Sequence, residues 1–145
     1  IGRGRNYINL KKFIEKNNLK KNVVLKNYID NPYPYLKLSD AFILSSNYEG
    51  LPNVLLEAQY FKKIIISTKC PTGPKEILLN GKAGLFFKMN NYKDLSNKII
   101  FAYKNKKKLQ VKINIGYNNL YRFNENKNLN MYYQVLLKYL LYEKN

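Results

Sequence analysis

Two short apolar runs, Ala41–Leu44 and Ile64–Ser67, constrain the fold of this chain more than any other feature, because a helix signal follows each closely. An uninterrupted apolar run of this length, bounded by turn residues, reads as a buried strand. After the first run come Gly50 and then Pro52, whose missing N–H suits the first turn of a helix, followed by a helical stretch over Asn53–Phe61. After the second come Thr72-Gly73-Pro74 and a short helix over Lys75–Leu79. A third run, Gly84–Phe87, follows the Asn80-Gly81 turn and precedes an amphipathic segment, Asp94–Tyr103. Strand, loop and helix in alternation predict an α/β fold with a parallel sheet. The loops leaving the carboxyl ends of such strands are where these folds bind ligands.

The rest of the chain extends this pattern. Asn6–Lys16 has helical apolar spacing at Ile8, Leu10, Phe13 and Ile14. Val23–Leu25 reads as a further short buried strand, and Tyr35–Leu38 as a short helix after the Pro32 and Pro34 loop. The run Lys104–Lys108 reads as a solvated helix surface or turn, and helical segments near Leu109–Tyr121 and Leu129–Tyr142 close the chain. No internal repeat is visible.

The segment Ser45–Gln59 carries two carboxylates eight positions apart, Glu49 and Glu57. A helix starting near Pro52–Asn53 puts Glu57 one turn in, as the i+4 neighbour of Asn53, while Glu49 stays on the loop. The two acids then bracket a helix N-terminus whose free N–H groups and positive dipole end suit a phosphate. A carboxylate can accept two hydroxyl bonds at once, which suits a vicinal diol. Gly50 and Leu51 offer backbone N–H groups, and glycine allows close approach of a phosphate. Taken alone, Glu49 would be a loop acid capping the next helix, and Glu57 a solvated helix residue. Asn53 is open between capping the helix and touching phosphate.

Composition narrows the chemistry. The formal charge is +17, but 23 of the 26 basic residues are lysine and only Arg3, Arg5 and Arg122 are arginine. Dedicated nucleic-acid readers lean on arginine for bidentate contacts. Lys, Asn, Ile and Tyr share AT-rich codons, so coding bias accounts for much of the basicity. Nucleic acid is therefore not the expected partner, and attraction to anionic lipid or nucleotide phosphate takes the remainder. The single cysteine, Cys70, excludes an internal disulfide and fits a reducing, cytoplasmic compartment. With no histidine in the chain and scattered acids, neither thiol catalysis at Cys70 nor a catalytic metal is expected, and no cofactor is implied. No apolar run is long enough to span a membrane. The start, Ile1-Gly2-Arg3-Gly4, reads as the interior of a longer chain.

The string Glu49-Gly50-Leu51-Pro52-Asn53-Val54-Leu55-Leu56-Glu57-Ala58, with Cys70-Pro71-Thr72-Gly73-Pro74 downstream, resembles the Glu-x7-Glu motif and following loop of family-4 (group 1) retaining glycosyltransferases. The likeness extends to Ile1–Arg5 (end of that family's second strand), Asn22–Tyr28 (third strand and base-binding loop), Ser39–Ser46 (fourth strand), Ile64–Leu78 and Gly81–Phe87 (last strand). It implies a Rossmann-like parallel sheet flanked by helices, the incomplete C-terminal half of a GT-B fold. The implied organisation is a nucleotide-sugar-binding domain over 1–103, lacking its first strands, with a helical tail over 104–145 packed on it.

The function implied is metal-independent retaining transfer of a hexose-type sugar from a nucleotide-diphospho-sugar to a glycan or lipid-linked acceptor, as in cell-surface polysaccharide synthesis. The enzyme would be cytoplasmic, with peripheral contact at the anionic inner membrane face. By resemblance Glu49 is the catalytic sugar ligand and Glu57 holds the ribose. The helix start at Gly50, Leu51 and Asn53 would hold the phosphates, with Val54 in the same donor-binding set; by resemblance Lys26, Asn27 and Tyr28 meet the base, and Thr72 and Gly73 frame the donor. The family's basic pair for the leaving diphosphate stands on an earlier strand–helix unit; Arg3, Arg5 and Lys11 do not sit in that motif, and its roles are not carried onto them. The chain is expected to supply strands three to six of a 3-2-1-4-5-6 sheet, and to be inactive and poorly stable alone. A non-catalytic module binding a sugar nucleotide or another polyanion is the alternative.

Overall fold

The structure is a computed structural model that describes residues 1–2 and 4–142, with side chains of the last helix described as far as residue 140. Arg3, the end of the predicted tail (143–145) and part of the predicted Ile1–Arg5 strand end lie outside the described residues. The chain divides into two compact units, Ile1–Lys37 and Leu38–Asn145.

In the first unit, helix α1 (Tyr7–Lys16) ends at Asn17, and the chain turns back so that the Leu19 N–H donates to the Ile14 carbonyl at 2.9 Å. Ile14 is the buried anchor of α1. The segment Val23–Leu25 then runs against the helix without forming a strand, contrary to the sequence reading. Val24 is 71% exposed, and Leu25 is half-buried in a cleft lined by Tyr7, Ile14 and Val23. The physical reason lies in pairing. β-branched residues favour a strand only when a ladder receives their backbone groups. Among the described residues one rung is made, Gly2 N–H to the Lys26 carbonyl at 3.0 Å. A short helix, α2 (Tyr33–Leu38), follows the proline loop.

The second unit holds a three-stranded sheet in the order β1 (Ala41–Leu44), β2 (Ile64–Thr68), β3 (Leu85–Phe87). Both pairings are parallel, with Ile43 opposite Ile66 and Ile66 opposite Leu85. All five residues of the central β2 are buried, as a strand covered on both faces requires. β1 departs from the expected full burial: it pairs only with β2 among the described residues, and Ile43 is 40% exposed. Helices α3 (Asn53–Tyr60) and α4 (Pro74–Ile77) make the crossovers, the second continued by a tight turn over Leu79–Gly81. α5 (Tyr92–Lys104) starts at a side-chain cap in which the Asn91 Oδ1 accepts from the Asp94 N–H at 2.9 Å. The basic run breaks at Asn105, and α6 (Lys106–Asn118) begins there.

One core layer joins Ile64, Ile66 and Phe87 of the sheet to Ala102 of α5 and Leu109 of α6. On α3, Leu55 and Ala58 are fully buried, and Gln59 donates through Nε2 to the Ile77 carbonyl at 3.2 Å. Gly116 of α6 lies so close to Gln59 that a Cβ there would come within 3.0 Å of its Nε2. Arg122, past α6, pairs with Glu76 at 3.7 Å. The last helix, α7 (Glu125–Tyr142), is exposed along most of its described length. None of the described helices is long and apolar enough to cross a membrane.

Candidate functional site

Because β1, β2 and β3 are parallel, the loops Ser45–Pro52 and Lys69–Gly73 leave neighbouring strands at the same carboxyl edge of the sheet. The Thr68 hydroxyl at the end of β2 donates to the Ser46 carbonyl at 2.5 Å. The Thr72 hydroxyl donates to the Glu49 carbonyl at 2.6 Å. Between them Cys70 is fully buried, its Sγ 3.9 Å from the Thr72 carbonyl. Gly73 closes the contact. Its backbone lies at φ +67, ψ −77, and a Cβ there would overlap the Gly50 carbonyl oxygen and sit 2.8 Å from Pro52 Cδ. Only glycine fits both the dihedral and the space.

α3 starts as the spacing predicts. Pro52 is its N-cap, Asn53 its first helical residue, and Glu57 lies one turn further on. No side chain caps this helix and no acid sits in its first turn. The Leu55 N–H donates to the Pro52 carbonyl at 2.9 Å, so the open N–H groups of the start are those of Asn53 and Val54, at the positive dipole end. This corrects the capping alternative for Asn53, which stands inside the helix instead of before it. Glu49 and Glu57 are half-buried, Val54 likewise, and Gly50, Leu51 and Asn53 are exposed. The edge thus presents open N–H groups flanked by two carboxylates, the donor and acceptor set that an anionic, hydroxyl-rich ligand needs.

The contacts join Glu49 and Gly50 directly to Thr72 and Gly73, while Asn53, Val54 and Glu57 follow on α3. Lys26, Asn27 and Tyr28 belong to the first unit, where all three are exposed. The Lys26 carbonyl already accepts from Gly2, and its ammonium lies 5.8 Å from the centre of the Tyr35 ring. Among the described residues no three His, Cys, Asp or Glu side chains gather as metal ligands would. The sequence reading missed Thr68 and Ser46. Their signal is slight: a hydroxyl residue standing where a strand ends.

Comparison with known proteins gives this edge a context. A sequence profile described as glycosyl transferases group 1 matches residues 1–119. An uncharacterized glycosyltransferase of Methanocaldococcus jannaschii is 45% identical over 78 residues, covering 54% of this chain and 19% of that protein. A poly(ribitol-phosphate) alpha-N-acetylglucosaminyltransferase of Staphylococcus aureus is 30% identical over 89 residues, covering 61% of this chain and 18% of that one. The chain thus spans about a fifth of the length of these two relatives. Among solved structures, a mutant of S. aureus TarM in complex with fondaparinux, alpha-GlcNAc-glycerol and UDP matches with TM-score 0.73 at 26% identity, over 81% of this chain and 24% of that one. Anabaena HepE in complex with UDP matches with TM-score 0.79 at 17% identity, over 92% of this chain and 37% of that one, and shows the fold alone.

Proposed function

The chain belongs to the glycosyl transferases of group 1, with the parallel sheet and flanking helices of a partial GT-B domain, and from that premise we propose that its sheet edge holds a nucleotide-diphospho-sugar for retaining transfer to a glycan or lipid-linked acceptor. The single observation that carries this reading is the uncapped, acid-free start of α3 set between Glu49 and Glu57. Free N–H groups at a helix start take phosphate oxygens. Glu57, one turn in, takes the ribose hydroxyls. Glu49, ahead of the turn, takes the sugar hydroxyls and orients it for reaction. Gly50, Leu51 and Asn53 meet the diphosphate, Val54 belongs to the same donor site, and the loop of Thr72 and Gly73 frames that site.

The chemistry is positioning plus electrostatic stabilisation of the leaving diphosphate, without a metal. Residues 1–103 form the donor-binding part, and 104–145 its helical tail. Sugar transfer needs more than these 145 residues, a reading supported by their covering 19% and 18% of two relatives. Two relatives are named for capsular polysaccharide biosynthesis, which supports a cell-surface glycan as product. The lysine excess supports peripheral attraction to an anionic cytoplasmic membrane face.

UDP is the first probe, since solved neighbours hold it. Calorimetry should show UDP binding that weakens in Glu57→Ala by roughly 1.5–3 kcal/mol, the worth of hydrogen bonds to a charged group. No binding to UDP, GDP, ADP or dTDP by the wild-type protein would overturn the reading. Unchanged affinity in Glu57→Ala would overturn the ribose assignment.

A further inference from the structure

We propose that Thr72 is a positioning residue that aims the Gly50 N–H at the donor diphosphate by holding the opposite end of the same peptide; this rests on the donor-site reading above. Across a trans peptide the carbonyl of one residue and the N–H of the next point in opposite directions. The described residues contain no cis peptide, so the rule applies between Glu49 and Gly50. Thr72 Oγ1 holds the Glu49 carbonyl at 2.6 Å, turning it toward the Lys69–Gly73 loop. The Gly50 N–H therefore points away from that loop. It has no hydrogen-bond partner among the described residues, Gly50 is exposed, and a Cβ on Gly50 would meet nothing within 4 Å.

Two further contacts make the hold specific. Thr68 fixes the start of the same loop through the Ser46 carbonyl at 2.5 Å. Gly73, in a dihedral that other residues rarely adopt, lets the two backbones approach closely enough for the Thr72 hydroxyl to reach. Without the hydroxyl, the Glu49–Gly50 peptide can rotate, and its N–H is no longer pre-set for an anion. Pre-set donors bind charge without a reorganisation cost at the moment of binding. Thr72 touches no ligand in this scheme. It acts through Glu49 and Gly50, so its influence falls on the phosphate and sugar end of the donor and not on the ribose.

The test uses the full-length protein and two probes, UDP and uridine, measured by calorimetry. Thr72→Val keeps the side-chain shape and removes the donor. It should weaken UDP by about tenfold, one charge-assisted hydrogen bond, and leave uridine unchanged. Thr72→Ser, which keeps the hydroxyl, should restore UDP binding to within about twofold. Thr72→Val with wild-type UDP affinity overturns the proposal. Equal losses for UDP and uridine also overturn it, since they mark a general structural role. Glu57→Ala, measured alongside, should weaken both probes, because both carry ribose. Loss of that pattern while the Thr72 pattern holds sinks the ribose assignment alone. A wild-type protein that binds neither probe sinks the donor site and the positioning role together.

Discussion

Ile43 and Ile66 face each other across the β1–β2 pairing, yet one is 40% exposed and the other fully buried. Replacing each by alanine removes the same three carbon atoms, so the pair isolates the effect of surroundings. For Ile66 the lost transfer energy is about 2.4 kcal/mol at about 0.8 kcal/mol per carbon. The cavity left in the layer of Ile64, Phe87, Ala102 and Leu109 raises the total toward about 4 kcal/mol. For Ile43, two-fifths of the side chain is already in water and no sealed cavity can form, so the loss should be about 1.4 kcal/mol. The change in strand propensity is common to both and cancels to first order. Urea unfolding of the chain, followed by tyrosine fluorescence, reads the difference. At a slope of about 2 kcal/mol per molar, the two midpoints should separate by about 1 M. Equal midpoints would show that β1 is covered as fully as β2, and that its half-open flank is not a property of the folded protein.

Glu49→Gln in the full-length enzyme should lower turnover about 10²-fold while changing UDP affinity little, since it acts at the sugar and not at the ribose; turnover at the wild-type rate would make Glu49 a structural loop residue. Gly84→Ala should lower the melting temperature, because a Cβ there would lie 3.1 Å from the Ile65 carbonyl and from both Leu78 methyl carbons, a crowding worth about 1–3 kcal/mol; an unchanged melt would show that Leu78 yields freely. The Asp40–Lys106 pair, 2.9 Å apart, should give an acid-sensitive increment of stability. Its hydrogen bond from Lys106, then the attraction of that charge, hold the Asp40 carboxyl below its ordinary 3.8, so the increment is present above that pH and fades as pH falls through the lowered value. Lys106 is raised above its ordinary 10.5 by the same partner, so its share is full below that pH and fades as pH rises through the raised value. NMR titration of Asp40 in wild type and Lys106→Met should show a higher Asp40 pKa in the variant, and identical curves would refute the pairing.

The elements of the second unit were legible because burial writes itself into local runs. β2 is isoleucine-rich and buried throughout, and Pro52 marks the start of α3. Val23–Leu25 has the same local chemistry but joins no sheet among the described residues, and pairing is a long-range fact that a short window does not contain. The same holds for the partial exposure of Ile43. Within the site, Glu49, Gly50 and Glu57 were visible as a motif. The work of Thr68 and Thr72 was not, because a hydroxyl's partner here is a backbone carbonyl, and every residue has one. Nor could Gly116 be foreseen as the space into which Gln59 fits, since 57 positions separate them.

The strands lie side by side in the order in which they leave the ribosome. β1 is available when β2 emerges, and β2 when β3 emerges, so the sheet can grow by one edge at a time. The cover arrives later. Leu109, which α6 lays against Ile64 and Ile66, is made 41 residues after Thr68 (109 − 68). At about 5–20 residues per second, one face of the isoleucine strand stays bare for about 2–8 s during synthesis. That interval, and not the finished molecule, is when this chain most needs protection from its neighbours. The layer over Ile64 and Ile66 is begun by Ala102 of α5 and closed when α6 brings in Leu109.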